Sequence, residues 1–141
     1  MINILFVCTG NSCRSQIAEG FARYFSNERF QIKSAGLFPT GIHPMTIQTM
    51  KEAGIDISDQ TSDMLNPAMV EWCDYFITLC GSARDRCPAV PPKVKHFHWD
   101  IENPDILYIS EEDRRREFAR VRDEIKRYVE KLFLQIEKGE I

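Results

Sequence analysis

The 141-residue sequence predicts a small doubly wound α/β fold, with a four-stranded parallel sheet flanked by helices. Three observations lead there. Short apolar runs alternate with amphipathic stretches along the whole chain, which is the pattern of repeated βαβ units. The first run, Ile2 to Val7, is apolar at nearly every position, as a central parallel strand covered on both faces requires. No repeat or low-complexity linker interrupts the chain, so residues 1–141 are read as a single domain.

The elements follow in order. Cys8 to Cys13 is a polar, small-residue turn. From Arg14 to Ser26 the apolar positions Ile17, Phe21 and Tyr24/Phe25 recur every three or four residues and mark a helix. Gln31 to Ala35 is a short second strand. Pro44 suits a first helical turn and Gly54 a C-terminal cap, which bounds a second helix over Pro44 to Ala53. Asn66-Pro67 is an N-cap and first-turn pair opening a short helix through Trp72. Tyr75 to Leu79 is the third strand. Gly81 to Pro92, carrying Pro88, Pro91 and Pro92, reads as a loop with room for one helical turn. Val94 to Trp99 is the fourth strand. Ser110 with Asp113 caps a last helix, whose apolar stripe is Phe118, Val121, Ile125, Val129, Leu132 and Ile136.

Composition narrows the function classes. Hydrophobic residues make up 43% and charged residues 28% of the chain, ordinary values for a soluble globular protein. A net charge of -3 lacks the basic footprint of a nucleic-acid binder. No apolar run reaches the length of a membrane span, and no basic-then-apolar leader opens the sequence. A cytoplasmic, membrane-free monomer is expected. Five cysteines, Cys8, Cys13, Cys73, Cys80 and Cys87, form an odd set without zinc-site spacing, which argues for catalytic or buried thiols over a disulfide framework.

In a doubly wound fold the ligand site lies at the carboxyl ends of the strands. The loop Cys8-Thr9-Gly10-Asn11-Ser12-Cys13-Arg14-Ser15 falls there. A turn from strand into helix aims several backbone N–H groups into one concavity at the positive end of the helix dipole. Gly10 is expected to take backbone angles other residues resist, while Thr9, Asn11, Ser12 and Cys13 complete the oxyanion-binding loop. Arg14 adds a planar fork able to donate two parallel bonds to oxyanion oxygens. Cys8, at the base of the cradle, is placed as a thiolate nucleophile, and Ser15 is placed to donate to its sulfur. This is a site for a tetrahedral oxyanion such as phosphate or arsenate.

The segment Val7 to Ser15 resembles the phosphate-binding loop of low-molecular-weight protein tyrosine phosphatases. Continued through Gln16-Ile17-Ala18-Glu19-Gly20, it is similar to the thioredoxin-coupled arsenate reductases that share that fold. The likeness extends through Ser34-Ala35-Gly36, Thr61-Ser62-Asp63 and Thr78-Leu79-Cys80 to the final helix, nearly the whole chain. It implies one of two activities. A phosphatase hydrolyses a Cys8 thiophosphate with water and needs a general acid for the departing alcohol. A reductase needs further thiols to take the oxyanion's oxidation away as a disulfide.

Cys80 ends the third strand, at the same sheet edge as Cys8, and Cys87 lies seven positions on in a polar segment. With the Thr-Leu-Cys…Cys-Pro pattern they support a relay in which Cys8 binds arsenate, Cys80 attacks Cys8 and Cys87 then attacks Cys80. The resemblance implies thioredoxin as the reductant of the final bridge and no required cofactor. Some members bind potassium beside the loop, and the matching positions are Asn11, Glu19, Ser34 and Asp63. Members usually carry an acidic residue as general acid immediately before the proline that matches Pro104. Here that position is Asn103, flanked by Glu102 and Asp105 as substitutes. Cys13 and Cys73 are read as structural. His96 and His98 alternate on a predicted strand and face one side, with no metal-ligand pattern.

Overall fold

A computed structural model describes residues 1–141. Its order is β1 (Ile2–Cys8), α1 (Arg14–Phe25), β2 (Phe30–Gly36), α2 (Pro44–Glu52), α3 (Pro67–Trp72), β3 (Tyr75–Thr78), α4 (Gly81–Arg86), β4 (Lys95–His98) and α5 (Glu111–Glu137). All strand pairs are parallel, and the sheet order is β2-β1-β3-β4. The strand order reverses between β1 and β3, so the crevice outside their carboxyl ends is the ligand position of this architecture. Both Cys8 and Cys80 lie at that edge.

Ile4 to Cys8 are all buried, which explains why β1 reads as an unbroken apolar run. The edge strand β2 alternates instead: Phe30 and Ile32 point inward, Gln31 and Lys33 outward. The core is one cluster of 31 buried residues, drawn chiefly from β1, β2, β3 and the helices packed on them, with Phe97 of β4 partly buried against it. Helix α1 packs on β1 and on α5, and α2 leans on α5.

The caps fall where the sequence places them. Asn66 Oδ1 accepts from Met69 N–H at 2.9 Å and Ser110 Oγ from Asp113 N–H at 3.0 Å, while Gly54 takes φ +82 after α2. Two elements depart from expectation. The third strand ends one residue early, at Thr78, and the helical turn allowed in the loop after it is a six-residue helix, α4, over Gly81–Arg86. Cys80 caps that helix through its sulfur, which accepts from Ala83 N–H at 3.4 Å. Pro88 blocks its extension. On α5 the buried stripe also includes Phe133, and Ile136 is only partly buried.

Candidate active site

The loop after β1 accounts for its backbone polar groups in one direction only. Cys8 O, Thr9 O and Gly10 O accept from the N–H groups of Leu37, Phe38 and Thr40 at 3.3, 2.9 and 3.0 Å. Asn11 O accepts from the Gln16 amide at 3.0 Å. Ser12 O accepts from His43 N–H at 3.2 Å and from the Thr46 hydroxyl at 2.8 Å. The N–H groups from Gly10 to Ser15 have no acceptor within the protein. Each planar peptide carries its N–H opposite its C=O, so carbonyls pinned outward turn the donors inward. The result is a rigid ring of donors at the start of α1, built for an oxyanion.

Gly10 does not supply the unusual backbone angle. Asn11 does, at φ +47, and Gly10 stays out of the left-handed region. Asparagine tolerates that region better than other residues with side chains, and here its side chain is fully used. Gly10 is small for a different reason: a Cβ there would stand 3.1 Å from Thr40 Oγ1. Gly36 is tighter still, because a Cβ would meet Asn11 N at 2.7 Å and Thr9 O at 2.8 Å.

Cys8 is buried at the base of the loop, with its sulfur 2.9 Å from Ser15 Oγ. Asn11 Nδ2 donates to Ser15 Oγ at 2.7 Å and to Ser34 Oγ at 3.0 Å. Occupying that Ser15 lone pair leaves its hydroxyl hydrogen for the sulfur. Ser34 in turn donates to Glu19 Oε1 at 2.5 Å, and Arg23 Nε–H donates to Glu19 Oε2 at 2.7 Å. Asn11 Oδ1 is fixed by Asp63 N–H at 2.9 Å. The four positions matched to potassium ligands therefore converge in one hydrogen-bonded network.

Arg14 stands at the rim. Its Nη1 donates to Ile101 O at 2.9 Å, which fixes the guanidinium plane. Its Nε–H and Nη2–H make no bond within the protein, leaving the parallel pair that grips two oxygens of an oxyanion.

Cys80 reaches the cradle: its sulfur lies 3.1 Å from Thr9 Oγ1. Cys87 does not. It is the C-cap of α4, partly buried, with its thiol directed to Arg84 O at 3.6 Å. Seven helical steps separate the two Cα atoms by roughly 10 Å, beyond the roughly 4.4–6.8 Å of a disulfide. Burial pushes the Cys87 thiol up from its ordinary value. The same cause raises Cys13, and it raises Cys73 to about 12. Cys73 also donates to Val70 O at 3.2 Å. Cys13 and Cys73 are both buried.

Asn103 is exposed and closes a turn by accepting Asp105 N–H at 3.0 Å. Of its acidic neighbours, Glu102 faces Arg120 on α5 at 3.8 Å. Asp105 lies between Arg114 at 3.3 Å and His43 at 3.6 Å. His96 and His98 share one partner, the Thr78 hydroxyl, at 3.2 and 2.8 Å. Gln16, Arg23, His43 and Thr46 are working residues that motif reading passes over. Gln16 and Arg23 are signalled only as polar residues at helical spacing from Glu19 on α1.

A cysteine at the base of a ring of backbone donors, on a parallel sheet of order 2-1-3-4, defines the class as cysteine-dependent oxyanion enzymes with a phosphatase-like fold. The low molecular weight phosphotyrosine protein phosphatase model matches residues 3–140, and the chain belongs to that family. The arsenate reductase of Bacillus licheniformis is 48% identical over 122 residues, covering 86% of this chain and 88% of that protein. A solved arsenate reductase in a phosphate-binding state superposes with a TM-score of 0.76 at 36% identity, covering 96% of this chain and 99% of the other. The thioredoxin-dependent arsenate reductase of Corynebacterium glutamicum gives a TM-score of 0.81 at 28% identity. That match covers 99% of this chain, which spans 63% of the other. No helix is long and apolar enough to cross a membrane.

Proposed function

We propose that this protein is an arsenate reductase that works by a three-thiol relay and is recharged by thioredoxin in the cytoplasm. The observation that carries the reading is Cys80: a second thiol 3.1 Å from the Thr9 hydroxyl of the oxyanion loop has no use in phosphate-ester hydrolysis. The relatives named above support the substrate and the reductant.

The steps balance without a cofactor. The Cys8 thiolate attacks arsenic and displaces one As–OH oxygen, which takes up a proton from solvent and leaves as water, forming a sulfur–arsenic(V) bond. Loop N–H groups and the Arg14 fork bind the remaining oxygens and the charge that builds on them. Cys80 sulfur then attacks Cys8 sulfur, and its thiol proton passes to solvent. The sulfur–arsenic electron pair stays on arsenic, which departs as arsenite, and a Cys8–Cys80 disulfide remains. Cys87 attacks Cys80 and expels Cys8 as thiolate, towards which Ser15 directs its hydroxyl. The Cys80–Cys87 disulfide is carried outward for reduction by a dithiol.

That third step requires α4 to open. Cys80 and Cys87 cap its two ends, so the disulfide forms only when the six-residue helix between them unwinds. Arsenite release with thioredoxin, thioredoxin reductase and NADPH tests the relay. Cys87→Ser is expected to yield about one arsenite per protein and stop, since two electrons come from one pair of thiols. Sustained thioredoxin-driven turnover by that variant would overturn the proposal.

A further inference from the structure

Glu19 is the single acidic residue of α1 and is 5% exposed, so its charge has to be answered inside the fold. Both carboxylate oxygens are engaged, Oε1 by Ser34 and Oε2 by Arg23. Arg23 is itself anchored, because its Nη2 donates to Ile32 O at 2.8 Å and clamps α1 to β2. The small cavity at this point is also lined by Lys33 and Asp63. Two cationic and two anionic side chains thus face it, and they balance without an added ion.

Two of the remaining oxygens are engaged as well. Asn11 Oδ1 accepts from Asp63 N–H, and Asp63 Oδ2 accepts from the Thr61 hydroxyl at 2.6 Å. An alkali cation wants a shell of uncommitted oxygens. Here it would meet a largely engaged oxygen set whose carboxylate already holds the Arg23 guanidinium, in a cavity that Lys33 also lines. The residues present do not fit a potassium ion.

We infer that the Arg23 guanidinium is the resident counter-charge of this network and a positioning residue for the Cys8 nucleophile, acting through Glu19, Ser34, Asn11 and Ser15. The charge-assisted bond keeps Glu19 an acceptor for Ser34. Ser34 then receives the Asn11 amide, and Asn11 sets the Ser15 hydroxyl on the sulfur. Removing Arg23 frees one Glu19 oxygen and one negative charge, which creates the cation site the native chain lacks. The inference rests on Cys8 as nucleophile and is independent of arsenate as substrate.

The test is the rate of Cys8 alkylation by iodoacetamide at neutral pH, read on the Cys8 peptide by mass spectrometry. It is run in potassium chloride and in tetramethylammonium chloride at equal ionic strength, with the melting temperature measured alongside. Wild type and Arg23→Lys are expected to behave alike in both salts. Arg23→Met, which keeps the stem of a half-exposed side chain, is expected to slow about three- to tenfold in tetramethylammonium. Potassium should restore its rate saturably and raise its melting temperature. A wild-type rate or melting temperature that climbs saturably with potassium overturns the inference, and this arm needs no variant to fold. An Arg23→Met protein indistinguishable from wild type in both salts overturns it equally.

Discussion

The Cys80 sulfur stands 3.1 Å from Thr9 Oγ1, so the second thiol touches the loop that holds the first. Thr9 O is in turn pinned by Phe38 N–H at 2.9 Å, which fixes the residue that Cys80 leans on. In the proposed relay this contact holds Cys80 beside the loop ahead of its attack on Cys8. Thr9→Val removes the hydroxyl and keeps the volume. It is expected to slow Cys8–Cys80 disulfide formation about two- to tenfold, the worth of one net hydrogen bond. Rapid quench with thiol mapping measures that step, and inhibition by phosphate should be unchanged.

In the proposed relay, the third step requires helix α4 to open. Gly81 is its first residue, and a Cβ there meets only Arg84 Nη2 at an ordinary 3.6 Å. Gly81→Ala stiffens the helix by about 0.5–1 kcal/mol. Formation of the Cys80–Cys87 disulfide is expected to slow about two- to fivefold, with arsenite release in the first turnover unaffected. Single-turnover kinetics followed by mass spectrometry separate the two.

The Cys87 thiol is pushed up by burial, so its thiolate is a minor form at neutral pH. The thiolate is the attacking species, and its share grows about tenfold per pH unit below the pKa. Resolution of the Cys8–Cys80 disulfide should therefore accelerate steeply from pH 7 to 8. A flat profile would place helix opening, not thiol ionisation, in control.

Asn103 offers no proton. By the family resemblance an acid belongs there, and general acids contribute roughly 10²–10⁴-fold to ester cleavage. Asn103→Asp is expected to raise hydrolysis of an aryl phosphate by at least about tenfold. Glu102→Gln is expected to leave turnover intact, since Glu102 faces Arg120. Steady-state assays with both substrates check the pair.

Much of this was legible in residue order. The strands, the caps at Asn66 and Ser110, and the loop from Cys8 to Ser15 follow from local periodicity and spacing. What sequence reading missed depends on tertiary contacts. Asn11, not Gly10, takes the left-handed angle, because its side chain is bound by Ser15, Ser34 and Asp63, which no local rule brings together. Helix α4 was legible only as room for one helical turn, because its cap is a cysteine sulfur, a weaker signal than serine or asparagine. The i,i+4 pair of Glu19 and Arg23 is visible in the sequence, but its burial is not.

The relay itself is tested most directly by mapping disulfides after the fully reduced protein meets one equivalent of arsenate, without thioredoxin. The account predicts a Cys80–Cys87 bridge, arsenite in solution, and Cys8, Cys13 and Cys73 free. Five free thiols with arsenate unreduced would contradict it.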